Sequence, residues 1–219
     1  MDAEDLDPAT YARVLRDLAQ VNRLTLARRP TIAFVVNALK GRSSFRLLDV
    51  GFGHGDMLRT IAAWSTHHAV TADLVGVDLN PGSAPAARAA TPPGMTIDYR
   101  TGDYATFAGE GFDLVVSSLV THHMRDDELI AFLRFMEAEA RLGWMVNDLH
   151  RHRLAHIGFP WLARAMRWHR IVREDGTLSI ARSFRAAEWH ALIERAGIDP
   201  AGPRIVRRFP FRLCVERHR

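Results

Sequence analysis

LLDVGFGHGDML, residues 47–58, decides how this chain is read. An apolar run leads into Asp49, glycines follow at 51, 53 and 55, and MLRTIAAW (57–64) then has the composition of a helix. The order is strand, glycine turn, helix. Glycine has no Cβ, so such a turn can bend sharply and lay bare backbone against a ligand. The first N–H groups of the next helix face the same ligand. A second strand, DLVGVDLNP (73–81), ends in a second acid, Asp78.

A glycine turn of this kind also serves NAD enzymes, and spacing separates the two. The dinucleotide fingerprint places a third glycine at its sixth position, where helix and strand pack closely. Here that position is Asp56. The DxGxGxG pattern from Asp49, followed by VDLNP (77–81), instead resembles the class I S-adenosylmethionine (SAM)-dependent methyltransferases. TGDYATF (101–107) is similar to the family's third-strand segment, and FDLVVSSLVTHHM (112–124) to its fourth strand and acceptor-facing loop. The resemblance covers residues 45–150 by motif and the remainder by topology. It implies a Rossmann-like α/β fold: a seven-stranded, mainly parallel sheet with an antiparallel last strand, helices on both faces and an N-terminal helical cap. It also implies methyl transfer from SAM with release of S-adenosyl-L-homocysteine (SAH), an EC 2.1.1 transferase.

Periodicity supports that architecture. Apolar runs predict strands at 45–50, 73–78, 95–100, 112–118 and 142–148, with helices at 55–66, 82–90 and 127–140. Strands alternating with helices imply βαβ crossovers and a parallel sheet covered on both faces. Asp126 or Asp127 is expected to cap the third of these helices. Tyr11, Val14, Leu15, Leu18 and Val21 fall at helical spacing in the N-terminal segment. Arg28-Arg29-Pro30 interrupts it, and TIAFVVNALK (31–40) reads as a second helix ending at Gly41. Residues 153–169 have near-helical apolar spacing, EDGT (174–177) reads as a turn, and 186–196 reads as a helix closed by Gly197. Strands near 203–209 and 211–217 are joined tightly through Pro210, which implies antiparallel pairing. The expected organisation is a single domain over 1–219: a cap (1–41), a SAM-binding core (45–150), and an acceptor cap with closing strands (151–219).

Composition is that of a globular chain, 47% hydrophobic and 25% charged. No apolar run approaches the roughly 20 residues needed to span a bilayer. The acidic start, MDAEDLDP, lacks a signal-peptide pattern, and a cytoplasmic location is expected. Cys214 is the only cysteine, which excludes an internal disulfide and a cysteine metal site. The histidines show no HExxH spacing, and Ser117-Ser118 stands where a metal-assisted catechol enzyme would need a carboxylate, so no metal is expected. Net charge is +4, and Lys40 is the only lysine. Arg204, Arg207, Arg208, Arg212, Arg217 and Arg219 interleave with apolar residues and read as surface charge, not a nucleic-acid site.

The resemblance assigns the cofactor site. Gly51, Gly53 and Gly55 would cradle the methionine end of SAM, and Asp49 would face its ammonium. Asp78 would accept the ribose hydroxyls, Asp103 the adenine amino group, and Leu79 or Tyr104 would sandwich the ring. Ser118 completes the set. His122 and His123 follow the fourth strand, beside the expected position of the methyl group. An imidazole can take a proton from a phenol or enol near neutral pH. His123 is the first candidate base, with His122 and then His150, in NDLHRHRLAH (147–156), as alternatives. HIGFPWLARAMRW (156–168) reads as an apolar roof or as a core helix. The expected acceptor is a small, partly apolar molecule methylated on a phenolic or enolic hydroxyl. C-methylation of an activated aromatic carbon, and SAM binding without transfer, are the alternatives. The sequence leaves oligomeric state open.

Overall fold

A computed structural model describes residues 8–219. The chain runs α1 (Pro8–Leu24), α2 (Arg28–Leu39), β1 (Ser44–Val50), α3 (Asp56–His67), β2 (Thr71–Asp78), α4 (Ser83–Ala89) and β3 (Asp98–Thr101). It continues with β4 (Leu114–Ser118), α5 (Asp126–Glu139), β5 (Gly143–Leu149), α6 (Arg153–Ala165), α7 (Arg170–Arg182), α8 (Ala186–Arg195), β6 (Arg204–Arg208) and β7 (Arg212–His218). Short 3-10 turns occupy Tyr104–Phe107 and Thr121–His123.

The seven strands form one sheet in the order β3-β2-β1-β4-β5-β7-β6. All pairings from β3 to β5 are parallel, and β7 runs antiparallel to both β5 and β6. The inner strands are buried on both faces, which their near-continuous apolar composition requires. Leu48, Val50, Val115, Trp144 and Val146 pack on one face against Phe132 and Met136 of α5 and Trp189 of α8. Leu47, Leu74, Leu114, Val116 and Met145 pack on the other against Phe34 of α2 and Leu58 and Ile61 of α3. A smaller cluster of Val14, Ala163, Trp168 and Val172 ties α1 to α6 and α7 beyond the carboxyl ends of the strands. Strand order reverses between β1 and β4, and a cleft opens there, as expected of open α/β sheets.

Three local expectations are corrected. EDGT (174–177) is not a turn but lies inside α7. Glycine within a helix costs about 1 kcal/mol relative to alanine. Packing explains its presence: a Cβ at Gly176 would overlap the ring of Phe159 on α6. Arg28 and Arg29 do not interrupt the N-terminal helices but open α2, with Pro30 in its first turn, where a missing N–H is harmless. The cap of α5 is Arg125, whose N–H donates to Glu128 Oε2 at 2.8 Å, so Asp126 and Asp127 begin the helix itself.

Candidate active site

A cavity of about 610 Å³ lies over the carboxyl ends of β1, β2, β4 and β5. Its floor includes Asp49, the 51–54 turn, Asp78, Leu79, Ser118, His122, His123 and His150. Its roof comes from α1, α6 and α7, including Leu15, Leu18, Phe159, Leu162 and Ile180. The 156–168 segment thus contributes a roof, although Trp161 itself is exposed.

The three glycines of the turn have separate reasons. All take left-handed φ values, +77°, +53° and +74° for Gly51, Gly53 and Gly55. At Gly51 a Cβ would overlap Val120, and at Gly55 it would come within 2.6 Å of the Tyr99 hydroxyl. At Gly53 a Cβ would meet nothing within 4 Å, because the cavity lies there. The Gly53 N–H donates to Asp78 Oδ2 at 2.9 Å, and Asp78 Oδ1 accepts from Asn80 N–H at 2.9 Å. Asp78 therefore fixes the turn while facing the cavity with its remaining lone pairs.

Asp49 is 2% exposed, and its Oδ1 is buried with no hydrogen-bond partner. Burial, reinforced by the nearby acids Asp56 and Asp78, pushes its carboxyl up to about 8. A buried polar atom without a partner is costly unless a ligand supplies one. Arg28, also in the cavity wall, donates from Nη1 to Thr60 Oγ1 at 2.9 Å, and its Nε lies 3.9 Å from Asp56 Oδ2.

Among the other expected residues, Leu79 is 76% exposed at the cavity edge. Tyr104 lines the cavity with its ring against Phe132 and Phe135, centroids 4.9 Å from each. Asp103 is exposed outside the wall and accepts from Ala105 N–H at 2.9 Å. Ser118 Oγ lies 3.5 Å from Thr31 Oγ1. His54 turns to Arg59, with Nδ1 3.1 Å from Nη2.

The histidines are not equivalent. His122 is buried, and its Nδ1 lies 2.7 Å from Asp148 Oδ1. Asp148 also accepts from the His122 N–H at 3.0 Å, the Leu149 N–H at 2.7 Å and the Thr121 hydroxyl. Despite desolvation, the His122 imidazole and these donors hold the Asp148 carboxyl down to about 2. An ionised carboxylate only accepts, so the shared proton sits on His122 Nδ1. Nε2 has no hydrogen-bond partner among the described residues and is left to serve the cavity. The ring of His123 stands 4.2 Å from that of His122. Desolvation, with the imidazole of His122 beside it, pushes the His123 pKa down to about 4. His150 lines the cavity further along, and burial and nearby arginines lower its pKa.

Other polar residues of the 147–156 segment turn inward. Asn147 Nδ2 donates to Ala27 O at 2.7 Å and Thr31 Oγ1 at 3.0 Å, binding α2 to β5. Arg151 pairs with Glu188. Arg212 is not a surface charge: it is 2% exposed at the start of β7 and lines the cavity. The pairing of His122 with Asp148, and the burial of Arg212, lay beyond sequence reasoning because both depend on register between β4, β5 and β7. Among the described residues no group of three His, Cys, Asp or Glu side chains converges as a metal site.

Residues 48–137 match a family model described as a methyltransferase domain. No curated protein matches the chain significantly. Solved structures share the fold. Human N-acetylserotonin methyltransferase in complex with SAM is 14% identical, with a TM-score of 0.67, covering 100% of this chain and 60% of that one. A SAM-dependent methyltransferase from Aquifex aeolicus is 16% identical, with a TM-score of 0.64, covering 97% and 98%. Magnesium protoporphyrin IX methyltransferase from Synechocystis PCC 6803, with SAH bound, is 16% identical, with a TM-score of 0.60, covering 89% and 82%. Residues 48–137 thus carry a methyltransferase domain, on a fold shared with SAM-dependent methyltransferases. No helix among the described residues is long and apolar enough to cross a membrane.

Proposed function

We propose that the enzyme methylates a phenolic or enolic hydroxyl of a small, partly apolar acceptor, with His122 as the base. The observation that carries this reading is the His122–Asp148 pair, buried at 2.7 Å in the wall of the same cavity as the glycine turn.

The residues present fit SAM. The unpartnered Asp49 Oδ1 suits an ammonium, and the open face of Gly53 leaves room for the methionine end. Asp78 would receive the ribose hydroxyls on lone pairs not used by Gly53 and Asn80. Leu79 and Tyr104 would flank the adenine, with the second carboxylate oxygen of Asp103 available to its amino group. Ser118, at the end of β4, would adjoin the methionine end. When bound, SAM supplies an electrophilic methyl group on a sulfonium.

The chain's own residues then hold the acceptor and accept its proton. Asp148 keeps His122 in one tautomer, so Nε2 carries the lone pair. The acceptor hydroxyl would give its proton to Nε2 as its oxygen takes the methyl group, with SAH as the leaving group that keeps the bonding electron pair. Asp148 stabilises the imidazolium that results, because the carboxylate is already ionised and aligned. His123, whose pKa is pushed down to about 4, is assigned to shaping the acceptor site. The roof of α1, α6 and α7 excludes water and suits an apolar ring.

His122→Ala should lower turnover by about 10²–10⁴, the usual worth of a general base, with SAH affinity nearly unchanged. His123→Ala should cost much less. Methylation of a phenol panel, followed by mass spectrometry of the product, reads both. A larger loss for His123→Ala than for His122→Ala would reverse the roles, and SAM binding without transfer to any acceptor would defeat the hydroxyl reading.

A further inference from the structure

Arg212 is the least satisfied charge in the cavity wall. It is 2% exposed, and its Nε and Nη1 are buried without hydrogen-bond partners. Only Nη2 is engaged, donating to Thr25 Oγ1 at 3.2 Å. Among the described residues no carboxylate lies within ion-pair distance of it. Asp148 attracts it electrostatically but already accepts four hydrogen bonds. A guanidinium stays protonated in proteins, and burying it unpaired costs several kcal/mol. Desolvation does push its pKa down. A buried guanidinium with unpartnered donors can be satisfied by a charge-assisted hydrogen bond to a carboxylate.

Position separates this guanidinium from the donor site. Arg212 pairs with Leu149 at the carboxyl end of β5, and β7 lies three strands from β1 in the sheet. That is about 14 Å at ordinary strand spacing, away from the glycine turn and towards His150. Thr25, which holds Nη2, also lines the cavity, between α1 and α2.

We infer that Arg212 and Thr25 form an anion subsite for the acceptor, and that the acceptor is an aromatic or enolic hydroxy acid bound through its carboxylate. The carboxylate would accept from the Arg212 guanidinium while the hydroxyl meets His122. The inference rests on the acceptor reading of this cavity for the hydroxyl, but not for the anion.

The test uses the SAH-loaded enzyme with benzoate and 2-naphthoate, each compared with its carboxamide, by calorimetry and thermal shift. Wild type should bind each acid at least about tenfold more tightly than its amide, an increment expected of a charge-assisted pair. Arg212→Met should erase that preference while the melting temperature holds or rises, because an unpaired buried charge is removed. Thr25→Val, a milder change, should reduce the preference in a protein that folds normally. Equal binding of acid and amide by wild type, or an acid preference retained in folded Arg212→Met, would overturn the subsite. If Arg212→Met does not fold, the wild-type comparison and Thr25→Val decide the matter. Hydroxy acids in the same panel separate the two readings: acid binding without methylation leaves the anion subsite standing and defeats the hydroxyl reading.

Discussion

Two buried carboxylates in one cavity wall are held in opposite protonation states. Asp148 is paired and ionised, its pKa near 2, whereas Asp49 is unpaired and protonated up to about 8. The depressed value means that the stability Asp148 contributes is present above its ordinary 3.8 and is lost as pH falls through 2. Asp148→Asn would put an amide donor against the Nδ1 proton or force the other tautomer. It should slow turnover about as much as His122→Ala and cost about 3 kcal/mol in chemical denaturation, the order found for breaking buried pairs. For Asp49 the sign is opposite. The folded protein holds an extra proton between pH 3.8 and 8, so this residue's stabilising contribution fades as pH rises through 8. An ammonium beside Oδ1 favours the ionised form, so SAM binding at pH 7 should release protons. Calorimetry in buffers of different ionisation enthalpy should show that release in wild type and not in Asp49→Asn; identical enthalpies for wild type in all buffers would contradict it. The sequence brought His122 and His123 to the end of β4 and His150 to the end of β5, at one edge of the sheet, but it could not choose between them. The choice lies with Asp148, 26 residues away on the next strand. Arg212 was hidden for a related reason. It sits in an arginine run that alternates as exposed strands do, yet it opens a strand covered on both faces.

The elements themselves were largely legible. Strands buried on both faces are apolar throughout, so β1, β2, β4 and β5 stand out, and α5 shows its buried stripe of Leu129, Phe132, Leu133 and Met136. The helix α7 did not, because RIVREDGTLSIAR has weak apolar spacing and an Asp-Gly pair that ordinarily marks a turn. Its glycine is explained only by the ring of Phe159 on α6. Gly176→Ala should therefore destabilise the protein by about 1–3 kcal/mol, the cost of overpacking, although alanine is the better helix former. Urea unfolding measures this, and Phe159→Leu in the same chain should recover part of the loss; a stabilised single variant would refute the packing account. The turn after β1 predicts a contrast between neighbours. Gly53→Ala meets open space and should cost only about 1–2 kcal/mol for its left-handed φ, yet weaken SAH binding markedly. Gly51→Ala meets Val120 and should lose more stability, with partial rescue by Val120→Ala.

At the scale of the whole molecule, strand order spreads the proposed donor and acceptor residues along one cavity. The glycine turn follows β1, Asp78 ends β2, His122 lies in the turn after β4, Asp148 on β5 and the buried Arg212 on β7. The roof spans both ends: Tyr11 of α1 meets Ser83 near Asp78 at 3.0 Å, and Thr25, just after α1, meets Arg212. That layout followed from the alternation of strands and helices, whereas the roof required tertiary packing that no local pattern records. The central claim is that this cavity joins a SAM site to a hydroxyl deprotonated by His122. Its most direct test is the rate of methyl transfer from SAM across phenols of decreasing pKa, in wild type and His122→Ala at fixed pH. Phenols with pKa near 10 should lose about 10²–10⁴ in the variant, and those already ionised should lose almost nothing. A loss of equal size at every acceptor pKa, or no loss at all, would contradict the account.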